Sequence, residues 1–154
     1  MIFLDQDGVI QAGAVVVVSA GNVLPYGADA SFYQPASCDH VITVAATNQY
    51  GDRAYYSNYG STVEISAPGG DTSNLVLSTS NSGTTVPEQD SYRWMGGTSM
   101  AAPHVCGVAA LVIEANGGEM HPAQVKAIIE QSADDLGKPG MDDYYGRGRI
   151  NAYK

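Results

Sequence analysis

An uninterrupted β-branched segment near the start of the chain limits the folds that it can adopt. Residues 14–20 read Ala-Val-Val-Val-Val-Ser-Ala, and the run stops at Gly21-Asn22. A strand that is apolar at nearly every position suits a parallel sheet covered on both faces, whereas a strand with one wet face alternates apolar and polar residues. Functional groups often follow such strands at their carboxyl ends. The sequence therefore predicts an α/β domain built on a mostly parallel sheet.

Four further segments have the character of strands. Residues 41–46 and 63–67 are apolar runs that are closed by polar or Pro-Gly residues, so we expect them to extend the same sheet. Residues 75–79 and 91–95 flank a segment rich in Ser, Asn, Gly and Thr, which predicts an antiparallel hairpin with a long loop. This hairpin leads directly into the Gly-Gly-Thr-Ser sequence of residues 96–99.

Two helices complete the predicted domain. Residues 100–115 are small or apolar almost all round, so we expect a buried helix rather than an amphipathic one. Pro103 suits the first turn, where its missing amide hydrogen costs little, and the helix therefore starts at or just before Ser99. Residues 116–118 end it, and residues 121–122 open a second helix. The apolar face of the second helix carries Val125, Ile128 and Ile129.

Composition and charge exclude some classes of partner. The chain has 154 residues, of which 44% are hydrophobic, enough apolar surface for the core of one domain. Its formal charge of −9 opposes binding to nucleic acid phosphates or anionic lipid, and no apolar run approaches the length of a membrane span. We therefore expect no nucleic acid and no membrane partner. Residues 1–7 lack the basic start of a signal peptide, so any export signal is expected to precede this chain.

The two cysteines do not form a disulfide framework. Cys38 lies in a polar, loop-like context and Cys106 lies within the apolar helical run, so a bond between them is disfavoured. We expect Cys106 to be a small buried hydrophobic residue, whereas Cys38 could pair with a cysteine outside this chain.

Ser99 is the strongest candidate for chemistry. Its hydroxyl falls at the N-terminus of the predicted helix, where unpaired amide hydrogens and the positive end of the helix dipole favour developing negative charge. Local chemistry alone favours a serine that only caps the helix. An α/β-hydrolase elbow is excluded, because Ala101 stands where that motif needs glycine.

A longer motif decides between these two interpretations. Residues 97–104, Gly-Thr-Ser-Met-Ala-Ala-Pro-His, resemble the nucleophile signature of the subtilisin-like serine proteases, the subtilase family. Further blocks that resemble the family follow in its order at residues 17–22, 34–41, 53–60 and 64–69, so the resemblance extends over residues 12–152. It is closest to the extracellular bacterial branch. The resemblance implies that residues 1–154 form the C-terminal part of a secreted peptidase domain, with part of a three-layer subtilisin-like fold.

The resemblance also assigns roles to residues. Ser99 would be the nucleophile that forms an acyl-enzyme during peptide bond hydrolysis, and Asn22 would donate to the oxyanion, although Asn22 taken alone also reads as a strand-ending turn residue. Thr98 would support the oxyanion site. One wall of the primary specificity pocket would be formed by Ser19, Ala20 and Gly21.

The aspartate and histidine of the family's triad have no counterparts here. Both precede the oxyanion strand in subtilases, whereas Asp5 and Asp7 lack the expected strand and His-Gly-Thr block. We therefore expect this chain alone to be inactive, either as a non-catalytic fragment or as a half-enzyme whose partner chain supplies Asp and His. Because the strand at residues 14–20 would lack a neighbour, we also expect the chain alone to associate.

The remaining candidates concern histidines and metals. His104 is expected to point into the interior as a structural residue, and His40 and His121 to have surface or capping roles; the three histidines form no zinc pattern. No cofactor is expected for the chemistry, and no nucleotide-binding glycine motif follows a strand.

A structural calcium ion is the metal that the resemblance implies. Glu64 aligns with a carboxylate that joins two backbone carbonyls in proteinase-K-like enzymes, and the corresponding carbonyls here belong to Asp39 and Val41. Oxygen ligands of this kind suit calcium. We favour a solvated glutamate without a metal over this calcium site.

Overall fold

The central element of the fold is a three-stranded parallel sheet. The computed structural model describes residues 13–72 and 74–154. Within them the strands run in the order β1, β2, β3, with Val17 opposite Ile42 and Val44 opposite Ile65. The strands are β1 (Val17–Ser19), β2 (Ile42–Thr47) and β3 (Ile65–Pro68). The predicted α/β class with a parallel sheet is thus confirmed.

The strands differ in how deeply they are buried. All six residues of β2 are buried, because β2 pairs on both sides and lies under a helix. The three residues of β1 are only half-buried, and β1 pairs with β2 alone among the described residues. The β-branched pattern of residues 14–20 predicts a strand that is covered on both faces. In the structure β2 is buried in this way, whereas β1, which contains that pattern, is shorter and more exposed than expected.

A separate antiparallel hairpin precedes the first helix, as predicted. β4 (Val76–Asn81) pairs with β5 (Asp90–Met95) along its whole length, from Val76 opposite Met95 to Asn81 opposite Asp90. The Asn81 side chain closes the loop, since its oxygen accepts from the amides of Gly83 (2.9 Å) and Glu88 (2.8 Å). Most of the hairpin is exposed, and its direction brings the chain back to the helix N-terminus.

The helix α1 (Thr98–Ala115) lies against all three sheet strands and against the second helix. Its buried residues follow helical spacing on one side: Thr98, Ala101, Val105 and Ala109. The expectation of burial all round is wrong for this chain, since Leu111 is 58% exposed and Cys106 is exposed rather than buried. Position 106 falls outside the stripe that faces the sheet. Cys38 and Cys106 are both free in this structure.

By length and composition alone, α1 is also long and apolar enough to cross a membrane. Its 18 residues have a mean hydropathy of 1.3. The core helix of a soluble α/β domain meets the same criteria, and α1 packs its small residues Ala101 and Ala109 against the sheet. Only 28% of this window is buried in the structure, however, so the core accounts for one face of the helix and leaves the rest of its apolar surface exposed.

The second helix, α2 (Pro122–Ser132), starts at a histidine cap. His121 Nδ1 accepts from the Ala123 amide (3.3 Å), while Gln124 Oε1 accepts from the His121 amide (3.1 Å). This confirms the capping role predicted for His121. Val125 and Ile129 are fully buried and attach the helix to the core.

The C-terminal segment returns to the outer edge of β3. The amide of Ser66 donates to Gly148 O (2.8 Å), and the amide of Ile150 donates to Ser66 O (2.9 Å). The carboxylate of Asp134 fixes the end of this segment, because it accepts from Lys154 Nζ (2.6 Å) and Asn151 Nδ2 (3.0 Å). The bond from Lys154, followed by that from Asn151, lowers the pKa of Asp134 from 3.8 to about 2.

The pKa of Asp134 predicts how acid affects the C-terminal segment. A carboxyl whose folded pKa lies below its unfolded value stabilises the fold above the unfolded pKa, and the contribution is lost as the pH falls through the folded pKa. The Asp134 carboxyl carbon followed by NMR should therefore titrate near pH 2 rather than 3.8. Asp134→Asn should lower Tm at neutral pH and lose this effect in strong acid, while Asp52→Asn, in an exposed turn, should do neither. A midpoint at the ordinary value would contradict the assignment.

Candidate active site

Two segments far apart in sequence meet where β1 ends and α1 begins. Asn22 Oδ1 accepts from the Thr98 amide (2.8 Å) and from Thr98 Oγ1 (3.0 Å), although 76 positions separate the two residues. Thr98 Oγ1 in turn accepts from the Gly21 amide (3.2 Å). The structure thus brings together Gly21, Asn22, Thr98 and the adjacent Ser99, four residues that the sequence had singled out.

These contacts fix the orientation of the Asn22 amide. A backbone N–H can only donate, so the side-chain atom that faces the Thr98 amide must be the oxygen. The Asn22 nitrogen Nδ2 is therefore turned away from Thr98, and no acceptor binds it within residues 13–72 and 74–154. The side chain is exposed at this point. Asn22 presents an N–H donor of fixed orientation to whatever binds beside it.

Ser99 lies in the first turn of α1, with its side chain exposed. The Met100 and Ala101 amides donate to Gly97 O (2.9 and 3.3 Å), and the Thr98 amide is held by Asn22. No group of the described part of the chain accepts from the Ser99 amide. An unpaired first-turn amide and the positive end of the helix dipole therefore accompany the Ser99 hydroxyl, an arrangement that favours a negatively charged oxygen.

The start of α1 is anchored to the end of β3. The Gly97 amide donates to Gly69 O (3.0 Å), which also accepts from the Tyr56 hydroxyl (3.0 Å). The same hydroxyl donates to Gly70 O. Burial raises the pKa of Tyr56 to about 12, so this donor keeps its proton over the whole neutral range. The helix N-terminus is thereby fixed relative to the sheet.

Asn58 is a positioning residue that the sequence reasoning missed. Its side chain donates to Ala20 O (3.0 Å) and accepts from the amides of Val23 (3.1 Å) and Ala28 (2.9 Å), and it is only 1% exposed. The Asn58 amide also donates to Gly21 O (2.9 Å). These four bonds hold the loop that carries Asn22. In the sequence, Asn58 is marked only by its place in one of the family-like blocks. Its burial leaves no local signal, because it depends on a loop about 30 positions earlier.

Glycine is required beside this clamp. Gly21 has φ +102°, and a Cβ built on it would lie 2.6 Å from Asn58 Nδ2. Both the backbone conformation and the space therefore demand glycine directly before Asn22. This gives a structural reason for the Gly21-Asn22 pair that ends the apolar run.

The proposed pocket wall adjoins this loop. Ser19 ends β1, and the fully buried Ala20 donates its amide to Val44 O (2.9 Å). Ser19, Ala20 and Gly21 therefore lead directly to Asn22. Their role in substrate binding stays a prediction.

A groove of about 420 Å³ lies between the hairpin and the first turns of α1. Ser99 is among the residues that line it, together with five apolar and four polar side chains. The lining residues are Val76, Leu77, Ser78, Thr79, Arg93, Met95, Ser99, Met100, Pro103 and His104.

The histidines do not supply a base to Ser99. His104 is exposed in the groove rather than directed into the interior, so the inward orientation expected for it is wrong; its Nδ1 lies 2.8 Å from Met100 O. His40 is exposed in a loop, with φ 63°. In the part of the chain that the structure describes, no histidine or carboxylate is hydrogen-bonded to Ser99. Asp5 and Asp7 lie outside the described residues.

No cluster of three His, Cys, Asp or Glu side chains occurs among the described residues. Glu64, the predicted calcium ligand, binds the Thr43 amide (2.6 Å) and Lys126 Nζ (2.8 Å), and Lys126 Nζ also donates to Val41 O (3.2 Å). Asp39 is exposed in the loop before β2. The calcium ion itself stays a prediction.

Comparison with known proteins identifies the family. The sequence profile described as the Subtilase family matches residues 4–148. The chain belongs to the subtilase family. This confirms the resemblance that the motif around Ser99 carries.

This subtilase has several named relatives. It is 43% identical over 147 residues to an extracellular protease of Xanthomonas campestris pv. campestris, a match that covers 95% of the chain and 24% of that protein. It is 39% identical over 142 residues to thermitase of Thermoactinomyces vulgaris, covering 92% of the chain and 44% of thermitase. The chain therefore spans less than half the length of these two relatives.

Solved structures support the same fold. A protease from Pseudoalteromonas arctica superposes with a TM-score of 0.82 at 40% identity, over 95% of the subtilase chain and 43% of the protease. A cold adapted subtilisin-like serine proteinase gives a TM-score of 0.70 at 32% identity, over 94% and 46% of the two chains. The subtilisin-like architecture expected from the sequence is confirmed for this portion.

The clamp at Asn58 predicts the effect of removing it. Asn58→Ala leaves Ala20 O and the Val23 and Ala28 amides without their partner, so the free energy of unfolding should fall by about 3 kcal/mol. Denaturant unfolding measures this change. The matched control is Asn48→Ala, which also removes an asparagine oxygen that accepts two amides, but in an exposed turn. Equal losses in the two variants would contradict the positioning role of Asn58.

Proposed function

We propose that this subtilase serves the hydrolysis of peptide bonds as a serine endopeptidase, with Ser99 as the nucleophile. The observation that carries the proposal is the fixed amide of Asn22, which is held by Thr98 beside the exposed Ser99 at a helix N-terminus. A serine that only caps a helix does not need a second donor of set orientation next to it. Family membership and the named proteases among its relatives support the same reaction.

In the proposed mechanism, the Ser99 hydroxyl oxygen attacks the carbonyl carbon of the scissile bond. The carbonyl oxygen becomes an anion that accepts hydrogen bonds from Asn22 Nδ2 and from the Ser99 amide. Collapse of this tetrahedral intermediate expels the amine and leaves an acyl group on Ser99, which water then removes. The Asn22 side chain needs no reorganisation, because its oxygen is already held by Thr98.

The reaction also needs a base. The proton of the Ser99 hydroxyl must be accepted when the carbonyl is attacked and then passed to the leaving amine, which is the task of histidine oriented by aspartate in this family. We infer that both groups come from a part of the enzyme outside the described residues. The chemistry requires no cofactor in this scheme.

The groove beside Ser99 supports protein or peptide substrates. Its apolar lining, with Met95 and Met100 close to the nucleophile, can accommodate side chains of an extended polypeptide. Ser19, Ala20 and Gly21 would bind the substrate on the other side of Ser99. Because relatives are named extracellular proteases, we propose that the enzyme acts outside the cell.

A partner that supplies the aspartate and histidine is favoured over a purely non-catalytic fragment. Among the described residues, α1 leaves Leu111 58% exposed, and β1 is hydrogen-bonded to a strand on one side only. A second unit could pair with the open edge of β1, cover Leu111 and bring a base to Ser99. The chain alone would then be inactive, and the non-catalytic fragment is the alternative.

Fluorophosphonate labelling tests the proposal. The chain alone should label slowly, because a serine without a base is a weak nucleophile. Adding the Asp- and His-bearing portion of a related subtilase should accelerate labelling of Ser99, and Ser99→Ala should abolish it. Asn22→Ala should slow peptide hydrolysis of the reconstituted enzyme by about 10²–10³-fold, the cost of losing one oxyanion donor in subtilisin. Labelling that survives Ser99→Ala, or rapid labelling of the chain alone, would refute the scheme.

Met100 gives a second, independent prediction. It follows the nucleophile directly and lines the groove, and its sulfur lies 3.6 Å from where a Cβ on Gly97 would be. Oxidation to the sulfoxide adds a bulkier polar group beside the proposed oxyanion donors. Peroxide should therefore reduce turnover of the reconstituted enzyme, and Met100→Ala should resist peroxide. Met141→Ala, at an exposed distant methionine, is the control and should leave the peroxide sensitivity unchanged; the assignment fails if Met100→Ala is as sensitive as the parent.

A further inference from the structure

Both oxygens of the Glu64 carboxylate have partners inside the protein. Oε2 accepts from the Thr43 amide at 2.6 Å, and Oε1 lies 2.8 Å from Lys126 Nζ. The Glu64 amide also donates to Thr43 O (3.0 Å), so side chain and backbone together attach this residue to β2. The Glu64 side chain is only 19% exposed. Its negative charge is therefore largely removed from water and depends on a nearby cation.

Lys126 is held so that its ammonium reaches this carboxylate. It lies on α2 directly after the fully buried Val125, which leaves the helix little freedom to move. Besides Glu64, its Nζ donates to Val41 O at 3.2 Å, just before the start of β2. Glu130, one turn further along the helix, has an oxygen 4.0 Å away. The ammonium thus lies among three oxygens that come from three separate parts of the chain.

Glu64 and Val41, together with Asp39, are also the residues for which the family resemblance implied calcium. Calcium takes six to eight oxygen ligands at about 2.3–2.6 Å. Lys126 Nζ donates to both Glu64 Oε1 and Val41 O. The other carboxylate oxygen of Glu64, Oε2, accepts from the Thr43 amide. A divalent ion at the same oxygens would have to displace an ammonium of like sign. The residues present therefore do not fit calcium in this arrangement.

We propose that Lys126 supplies the cation of this site from within the chain, in place of a calcium ion between Glu64 and Val41. A tethered ammonium has three N–H donors, so one carboxylate oxygen and one carbonyl oxygen are suitable partners for it. A calcium ion would need a larger set of oxygen ligands than these two. It joins α2 to the start of β2 and to Glu64, without dependence on the calcium concentration. The inference concerns the stability of the fold and does not rest on the proposed activity.

Thermal unfolding in EDTA and in millimolar calcium tests the proposal. Wild type and Glu64→Gln should show the same calcium-dependent change in Tm, because Glu64 is not a calcium ligand while Lys126 is present. Lys126→Met should unfold several degrees lower in EDTA, since it leaves the Glu64 charge without its partner. Calcium should then raise the Tm of Lys126→Met by more than it raises that of wild type. This additional rise should vanish in Lys126→Met/Glu64→Gln.

Lys138→Met, at an exposed lysine, is the matched control and should behave as wild type in both solutions. The proposal is overturned if calcium raises the Tm of wild type more than that of Glu64→Gln, because Glu64 would then bind the metal despite Lys126. It is equally overturned if Lys126→Met folds and gains no additional calcium response. If Lys126→Met does not fold, the comparison of wild type with Glu64→Gln decides alone.

Discussion

The hydrogen bonds between Asn22 and Thr98 are the constraint on which the site depends. They join the end of a strand to the first residue of a helix across 76 positions of sequence, and they also select which atom of the Asn22 amide faces outwards. Ser99 is the next residue of the helix, so its position follows from the same contact. A single pair of residues thereby sets the Asn22 amide, the Ser99 hydroxyl and the helix N-terminus relative to one another.

Polar side chains, rather than a larger apolar core, hold the loops around this contact. Loops at the carboxyl edge of a parallel sheet leave backbone donors and acceptors that must be paired when they are buried. Asn58 satisfies three such groups in the loop that carries Asn22, and Tyr56 binds Gly69 O at the entrance to α1. Because these bonds are directional, they fix positions that non-directional packing would leave variable.

Several of the seven basic residues have specific partners in this acidic chain. Lys126 faces Glu64, and Lys154 faces Asp134. The Arg53 guanidinium lies 5.3 Å from the ring centre of Tyr59 and 5.0 Å from that of Tyr144, so it connects the loop after β2 to the C-terminal segment. With a net charge of −9, local pairing of this kind limits repulsion inside the fold while the surface stays acidic.

The sequence by itself determined the class of fold and the order of the strands and helices along the chain. It also singled out the candidates Ser99, Asn22 and Thr98, because periodicity and a contiguous motif are local properties of the chain. The tertiary structure alone decided which residues hold them. Asn58 and Lys126 act on partners about 30 and more than 60 positions away, and such contacts leave no local pattern. The burial of Cys106 and His104 was mispredicted for the same reason. The sequence shows that this helix is apolar, but the packing of distant strands decides which of its faces meets the sheet.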